Sequence, residues 1–475
     1  MTKWRFGERK RLRTGLWLAA GLALCALPPA WPQESLINAP EPSQPTRPRA
    51  LSGRLPAKPS QPPAFKISVG PLGYSAPGAF YLGQRTSMVS LDFLDEDRLL
   101  FTFRVPGLMH RKAGDENERQ IRAVLLNLPE GTIQAEALWT VHDRARYLWM
   151  LKDGHFLLRD GRDLEVGDAS LDLKPYLHFP GPLLWLETDP SQQFLVTNSR
   201  EPATPNPATH DTSDQSLSLH SGGQSSLSSD RESMGLGTTD TTETVQMEEQ
   251  KPAELPDLVV RILRRSSGEV ILVSRTRTAI HLPINADGYL ESLRGRNNDW
   301  LLHLKSYLGV SSILGRVDSA CSPRFDFVSQ REVLVTGCTS SGAGELTAIR
   351  TDGRHLWEAL SAETMIWPLI VRAPNGSRLA RETLAIPSPI SARSPLDPAE
   401  IKGQLVTVFD AADGNIALET TASPALDAGG NVAISPSGRR VAVLNGGQIQ
   451  VFELPPAPPI PEAVVSAPSV PAPSR

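Results

Sequence analysis

The 475-residue chain is poor in several things, and each shortage excludes something. It has 3 Cys, too few for a disulfide-dense scaffold. It has no excess of positive charge: 48 Lys and Arg stand against 52 Asp and Glu, a net charge of -4. That argues against a nucleic-acid partner, because such affinity comes mostly from Lys and Arg meeting phosphates. The longest apolar run falls short of the ~20 residues that a spanning helix needs. Aromatics are sparse, at 13 Phe, 6 Tyr and 9 Trp, but a hydrophobic fraction of 40% still permits a real core. Catalytic signatures are missing as well. The sequence has no GxSxG elbow, no Walker loop and no HExxH pair. The nine histidines (His110, His142, His155, His178, His210, His220, His281, His303 and His355) are scattered. Spacing along the chain leaves open a ligand set gathered from distant segments.

The N-terminus is the one strongly basic stretch. Lys3, Arg5, Arg9, Lys10, Arg11 and Arg13 precede the apolar run 15–27, which Pro28 and Pro29 break before Ala30. This is the shape of a secretory signal over residues 1–30. Extended to Trp31, the run 15–31 reads instead as an anchor retained in the inner membrane. The sequence therefore predicts a periplasmic or secreted protein, with a membrane tether through 15–31 as the alternative. Cys25 follows Leu24, where a lipoprotein cleavage box has a small residue, so it reads as part of the apolar run.

Three stretches read as irregular. Residues 31–64 are a Pro-rich linker and 455–475 a Pro-rich tail; both predict extended, solvated tethers. Residues 199–256 are rich in Ser and Thr, hold no aromatic residue and carry more acid than base. Such a segment cannot bury enough apolar surface to offset its ordering entropy, so it predicts a disordered insertion within a folded domain.

The remaining segments, 65–198 and 257–454, repeat one pattern. Its clearest copy is NVAISPSGRRVAVLNGGQIQVFEL, residues 431–454. Apolar residues alternate in three short runs, separated by Pro436-Ser437-Gly438 and Asn445-Gly446-Gly447, both turn formers. A second element, strand-turn-strand, occurs at 405–420, 346–358, 259–273 and 123–139. Alternating the two gives four-stranded units beginning near Ser90, Ala145, Leu183, Tyr289, Phe325, Leu369 and Val432. That is about 47 residues per unit, within the ~40–50 expected of a propeller blade. The predicted fold is an all-β single propeller of about seven four-stranded blades, six being the alternative. The last unit lacks a fourth strand, and Phe65–Val69 lacks a partner. Pairing the two would close the ring and protect its sheet edges.

ISPSGRRVAVL at 434–444 and VFDAADGN at 408–415 resemble WD-like and YVTN-type propeller repeats, over roughly 65–198 and 257–454. LTAIRTDGRHLW at 346–357 is similar to the tryptophan-docking repeat of quinoprotein propellers, with Arg350 where an Asp is usual. The adjacent cysteines of some quinoprotein dehydrogenases are absent. The resemblance implies a rigid disc whose loops and faces bind something, and a fold does not set a function.

Cys321 and Cys338 flank a predicted hairpin. With Ser329-Gln330 as its turn, Phe325 pairs with Leu334 and the cysteines fall opposite one another. Opposed residues lie close enough for a disulfide; two free thiols are the alternative. Asp410, Asp413 and Gly414 read as turn formers, since their spacing does not meet that of a calcium loop. Trp139, Trp149, Trp185, Trp300, Trp357 and Trp367 read as packing between blades. No catalytic, cofactor-binding or metal-ligating residue is assigned from the sequence. The reading favours a monomeric, non-catalytic scaffold for protein partners. Its alternatives are a propeller enzyme, lactonase-like or quinone-dependent, and a carbohydrate- or polymer-binding module.

Overall fold

In the computed structural model, residues 48–459 are described, apart from 78–87, 106–117, 143–145, 202–257, 279, 297, 390–396 and 427. Residues 1–47, which include the basic start and the run 15–31, lie outside the described residues, as do most of the tail and of the 199–256 insertion. Among the described residues no helix is long and apolar enough to cross a membrane.

The strands form seven small sheets in sequence order, a seven-bladed β-propeller. Blade 1 runs from the inner strand Ser90–Phe93 to the outer strand Thr132–Val141, and blade 2 from Leu148–Met150 to Lys174–His178. Blade 3 runs from Leu183–Thr188 to Val270–Thr276, blade 5 from Arg324–Phe327 to His355–Leu360, and blade 6 from Met365–Arg372 to Ile416–Ala422. Six blades are thereby ruled out. A blade is sandwiched between two others, so its strands bury both faces and read as near-continuous apolar runs. In the strand Arg98–Arg104, Leu99, Phe101 and Phe103 pack towards blade 7 while Leu100 packs towards blade 2. This is the period of two that a strand imposes.

Blade 7 holds Val432–Ile434, Arg440–Asn445 and Gln448–Glu453, and its outermost strand is Phe65–Ser68 from the other end of the chain. Phe65 pairs with Val451 and Ile67 with Ile449, the closure expected from the sequence. One apolar cluster joins Ile67, Ile449 and Val451 to Leu91, Phe101 and Val124 of blade 1. Further apolar clusters fill the other blade boundaries, so the ring is continuous.

Two features depart from the expected scheme. Blade 4 has only three regular strands, Gly288–Arg294, Asp299–Ser306 and Ser311–Asp318. Its innermost position is taken by residues 280–286. There His281 Nε2 lies 2.7 Å from Phe325 O, and Asn285 Nδ2 lies 3.0 Å from Gln330 O, both in blade 5. Ile284 makes a single bridge to Tyr289, and Pro283 has no N–H for a ladder. The unit expected to begin near Tyr289 therefore begins about nine residues earlier. The described part of the Pro-rich linker is also no free spacer. Arg49–Ala50 pairs in parallel with the outer strand of blade 5, and Ser60 N bonds Glu419 O of blade 6 at 2.8 Å. Leu51 and Leu55 pack against Met365, Ala385 and Leu405. Proline is tolerated there because an outer edge needs few donors.

In an antiparallel four-stranded blade, the second-to-third connection and the step to the next blade emerge on one face. The strand ends that bound the long connections 105–118, 201–257 and 386–402 all lie on that face. The opposite face carries short turns such as 94–97, 328–331 and 411–415. Gly414 shows why these turns need glycine: its φ is +69°, and a Cβ would lie 2.6 Å from Trp357 Cδ2. Trp357 itself stacks on Phe409 and donates Nε1–H to Ala411 O at 2.7 Å, docking blade 5 on blade 6.

Candidate functional site

The propeller axis gathers charged side chains from six blades. Asp92 comes from the inner strand of blade 1 and Arg146 from just before that of blade 2. Glu187 comes from blade 3, His281 from the irregular inner segment of blade 4, Arg324 and Asp326 from blade 5, and Arg372 and Glu382 from blade 6. Arg146 is solvent-exposed, yet it feels the charges of Asp92, Glu187, Arg324 and Arg372. A side chain that faces blades 1, 3, 5 and 6 at once lies where their inner strands converge.

His281 is the hub. Its Nε2 lies 2.7 Å from Phe325 O, a carbonyl that can only accept, so Nε2 carries a proton. Asp326 Oδ1 is 3.2 Å from the same nitrogen. On the other side, Nδ1 makes a charge contact with Glu187 Oε2 at 3.3 Å. The ring meets Trp185 edge-on, with centroids 5.1 Å apart. Burial alone would lower the pKa of His281, but Glu187 and Asp326 outweigh it and hold the pKa above its usual value. The ring therefore joins blades 3 and 5 across blade 4, in a setting that favours its protonated form. Burial likewise pushes Asp326 up, and Arg324 and His281 more than reverse the effect, leaving Asp326 well below the usual carboxylate range.

The donor atoms of Glu187, His281 and Asp326 all lie within 4.8 Å of one another, a spacing that a metal centre also needs. Their surroundings fit a cation poorly. Arg324 holds both oxygens of Asp326, at 3.1 and 3.3 Å, and Arg372 lies 3.8 Å from Glu187 Oε1. Phe325 O caps Nε2. Three cationic side chains already serve the two carboxylates, so the cluster is an ion-pair network.

Two further carboxyl groups face this network. Burial raises Asp92 to about 6, with the Ser90 hydroxyl and Arg146 opposing it. Glu382 is fully buried, and burial raises it to about 8 against Arg146 and a hydrogen bond from Gln404 at 2.5 Å.

Of the residues named from the sequence, His281 and Trp185 lie at this site and the following ones lie elsewhere. Cys321 and Cys338 sit where blade 4 passes to blade 5, joined in the structure with a Cα–Cα distance of 5.6 Å. The hairpin register differs by one residue from the expected one, since Phe325 faces Val335. The cysteines meet because Ala320 N bonds Cys338 O at 2.8 Å, which draws the loop alongside the strand. Asp413 and Gly414 lie in the turn, whereas Asp410 ends the third strand of blade 6 and accepts from Arg378 at 2.7 Å. Trp139, Trp149, Trp300 and Trp357 are each no more than 6% exposed, which places them in the packing between blades. His142 and His178 pair with Asp160 and Asp163, and His355 with Glu358, away from the axis. The sequence reading missed the axial set. Its only signal was polar residues at alternate positions of inner strands, as in SLDF and RFDF.

No protein-family model matches the chain, and no curated protein matches it. Some solved structures are similar to it at low identity. One acylaminoacyl peptidase structure from Pyrococcus horikoshii, the orthorhombic crystal form, is similar at 10% identity and a TM-score of 0.42, over 75% of this chain and 48% of that one. The uncomplexed form is similar at 9% identity and a TM-score of 0.42, over 78% and 52%. A chain of a mitotic checkpoint complex is similar at 8% identity and a TM-score of 0.42, over 88% and 97%. The chain spans about half the length of the peptidases it resembles.

Proposed function

We propose that the chain is an exported, non-catalytic β-propeller of WD-like or YVTN type that holds protein partners in the cell envelope. The observation that carries this reading is the asymmetry of the disc. The long connections, including the one between Arg200 and Leu258, leave from a single face, while the other face has tight turns. Binding residues concentrate on loops that a rigid scaffold positions. The axial charges are largely engaged with one another and do not present a nucleophile beside a free base. Export is supported by the basic-then-apolar start and by the Cys321–Cys338 juxtaposition, which an oxidising compartment would lock. On this reading a maleimide labels these two cysteines only after reduction.

The test is in-cell crosslinking of the full chain, followed by identification of what is joined to it. The same crosslinking is then run with residues 203–256 replaced by a short Gly-Ser linker. One reproducible protein partner, lost or weakened in the shortened chain, supports the proposal. Recovery of the chain alone, together with stoichiometric bound metal, contradicts it. That second outcome would favour a propeller enzyme with a metal on its axis, a reading that rests on the Glu187, His281 and Asp326 cluster.

A further inference from the structure

The axial network is incomplete at one point. A guanidinium has five N–H donors. Arg372 spends its terminal nitrogens on Phe327 O and Thr188 O. Arg324 spends Nε and Nη2 on Asp326 and keeps Nη1. Arg146 uses only Nε, which donates to Leu148 O at 3.1 Å. Its Cζ lies over Trp149, 5.4 Å from the ring centroid, and its two terminal nitrogens meet no acceptor among the described residues. The guanidinium is thus placed beside the Trp149 ring with two terminal nitrogens left for another acceptor. Arg372 and Arg324 stand near enough to repel it, and Asp92 and Glu187 near enough to attract it.

We propose that the central channel binds an oxyanion, a carboxylate or phosphate-type group, on the free edge of Arg146 with Arg324 as second donor. A planar fork on a rigid backing is the arrangement that recognises two oxygens of one anion. The bound group would supply the acceptor that the terminal nitrogens of Arg146 lack among the described residues. It could belong to a small metabolite or to an acidic side chain of a protein docked at the channel mouth, so the site does not depend on the scaffold reading.

Asp92 gives the site a pH dependence. The groups facing Asp92 are Ser90 on its own strand and Arg146 and Tyr147 on the approach to blade 2. Its pKa is about 6, so as pH falls through that value it becomes neutral and stops competing for Arg146. Oxyanion binding should strengthen over the same range. Glu382, at about 8, adds a competing charge only at higher pH.

The test is calorimetric titration of the full chain with inorganic phosphate, sulfate and acetate. Sulfate serves for the pH series because it does not titrate there. Saturable binding of at least one probe is expected, weakened roughly 10- to 100-fold in Arg146→Gln, the loss that charged hydrogen bonds of this kind imply. Arg146→Lys should recover part of it. Asp92→Asn should bind sulfate more tightly at pH 7.5 and lose the pH dependence around 6. Preference for sulfate and phosphate over acetate points to a phosphate-type ligand, and the reverse to a carboxylate. An acidic peptide that binds where the free anions also compete would identify a protein source. Absence of saturable binding by all three probes, or equal binding by Arg146→Gln, overturns the proposal. Arg146 is exposed and outside the blade cores, so the variant should melt with the unliganded parent.

Discussion

Replacing Arg378 by Met should cost more than any surface charge can. Arg378 sits in the second strand of blade 6 and is completely buried. It donates Nε–H to Asp410 Oδ1, Nη1–H to Gly438 O and Nη2–H to Pro455 O, each at 2.7 Å. One side chain thereby ties the third strand of blade 6 to the first turn of blade 7 and to the chain leaving the last strand. Methionine fills most of the stem volume but makes none of these bonds. Two carbonyls and a carboxylate that is 14% exposed are left behind. Hydrogen bonds to charged groups contribute about 1.5–3 kcal/mol each, but three on one group do not add. Removing one partner of a buried pair typically costs about 3–5 kcal/mol. A loss of about 4 kcal/mol is therefore expected for R378M, read from urea denaturation followed by tryptophan fluorescence. Asp410→Asn alone should cost less, and the double variant should cost clearly less than the two single changes combined. A cost below about 1 kcal/mol, or simple additivity, would refute the reasoning.

Two predictions concern pH. The folded pKa of His281 is raised, so its stabilising effect is complete below its unfolded value of about 6.5 and fades as pH rises through the folded value. The parent should lose stability as pH rises above about 6.5 by an amount that His281→Gln does not show, as melting temperatures across a rising pH series would reveal. Glu382 is also raised, to about 8, so its contribution is complete below its unfolded value of about 4.3 and declines as pH approaches 8. Glu382→Gln has no charge to bury and should become more stable than the parent as pH rises, on the order of 1–3 kcal/mol at pH 8. A difference that does not change between pH 5 and pH 8 would contradict the assignment.

Much of the fold is legible in the sequence because turn chemistry is local. Pro436-Ser437-Gly438 and Asn445-Gly446-Gly447 mark the strands of blade 7 directly, and the blade starts at Ser90, Leu183 and Val432 follow from the same signals. Closure is legible by elimination, as a strand without a partner and a sheet without an edge. Blade 4 is less so, because residues 280–286 hold their place by bonds to blade 5 and lack a ladder of their own. The Pro-rich linker misleads for a similar reason: its composition reads as solvated, while Leu51 and Leu55 find a crevice made by blades 5 and 6. The axial site is the least legible part. Glu187, His281 and Asp326 lie far apart in the chain, and only the circular order of the blades brings them together. Nothing local to His281 distinguishes it from His303 or His355.

The central channel and the single loop-bearing face both require a closed ring. Hydrogen exchange of the backbone amides in Phe65–Ser68 tests closure most directly, because these residues are held only by the last strand and their neighbours across the blade boundary. Protection comparable to that of Gln448–Glu453 is expected, since the two segments should open together. Exchange of Phe65–Ser68 at the rate of an unstructured linker, with Gln448–Glu453 still protected, would contradict the closed ring.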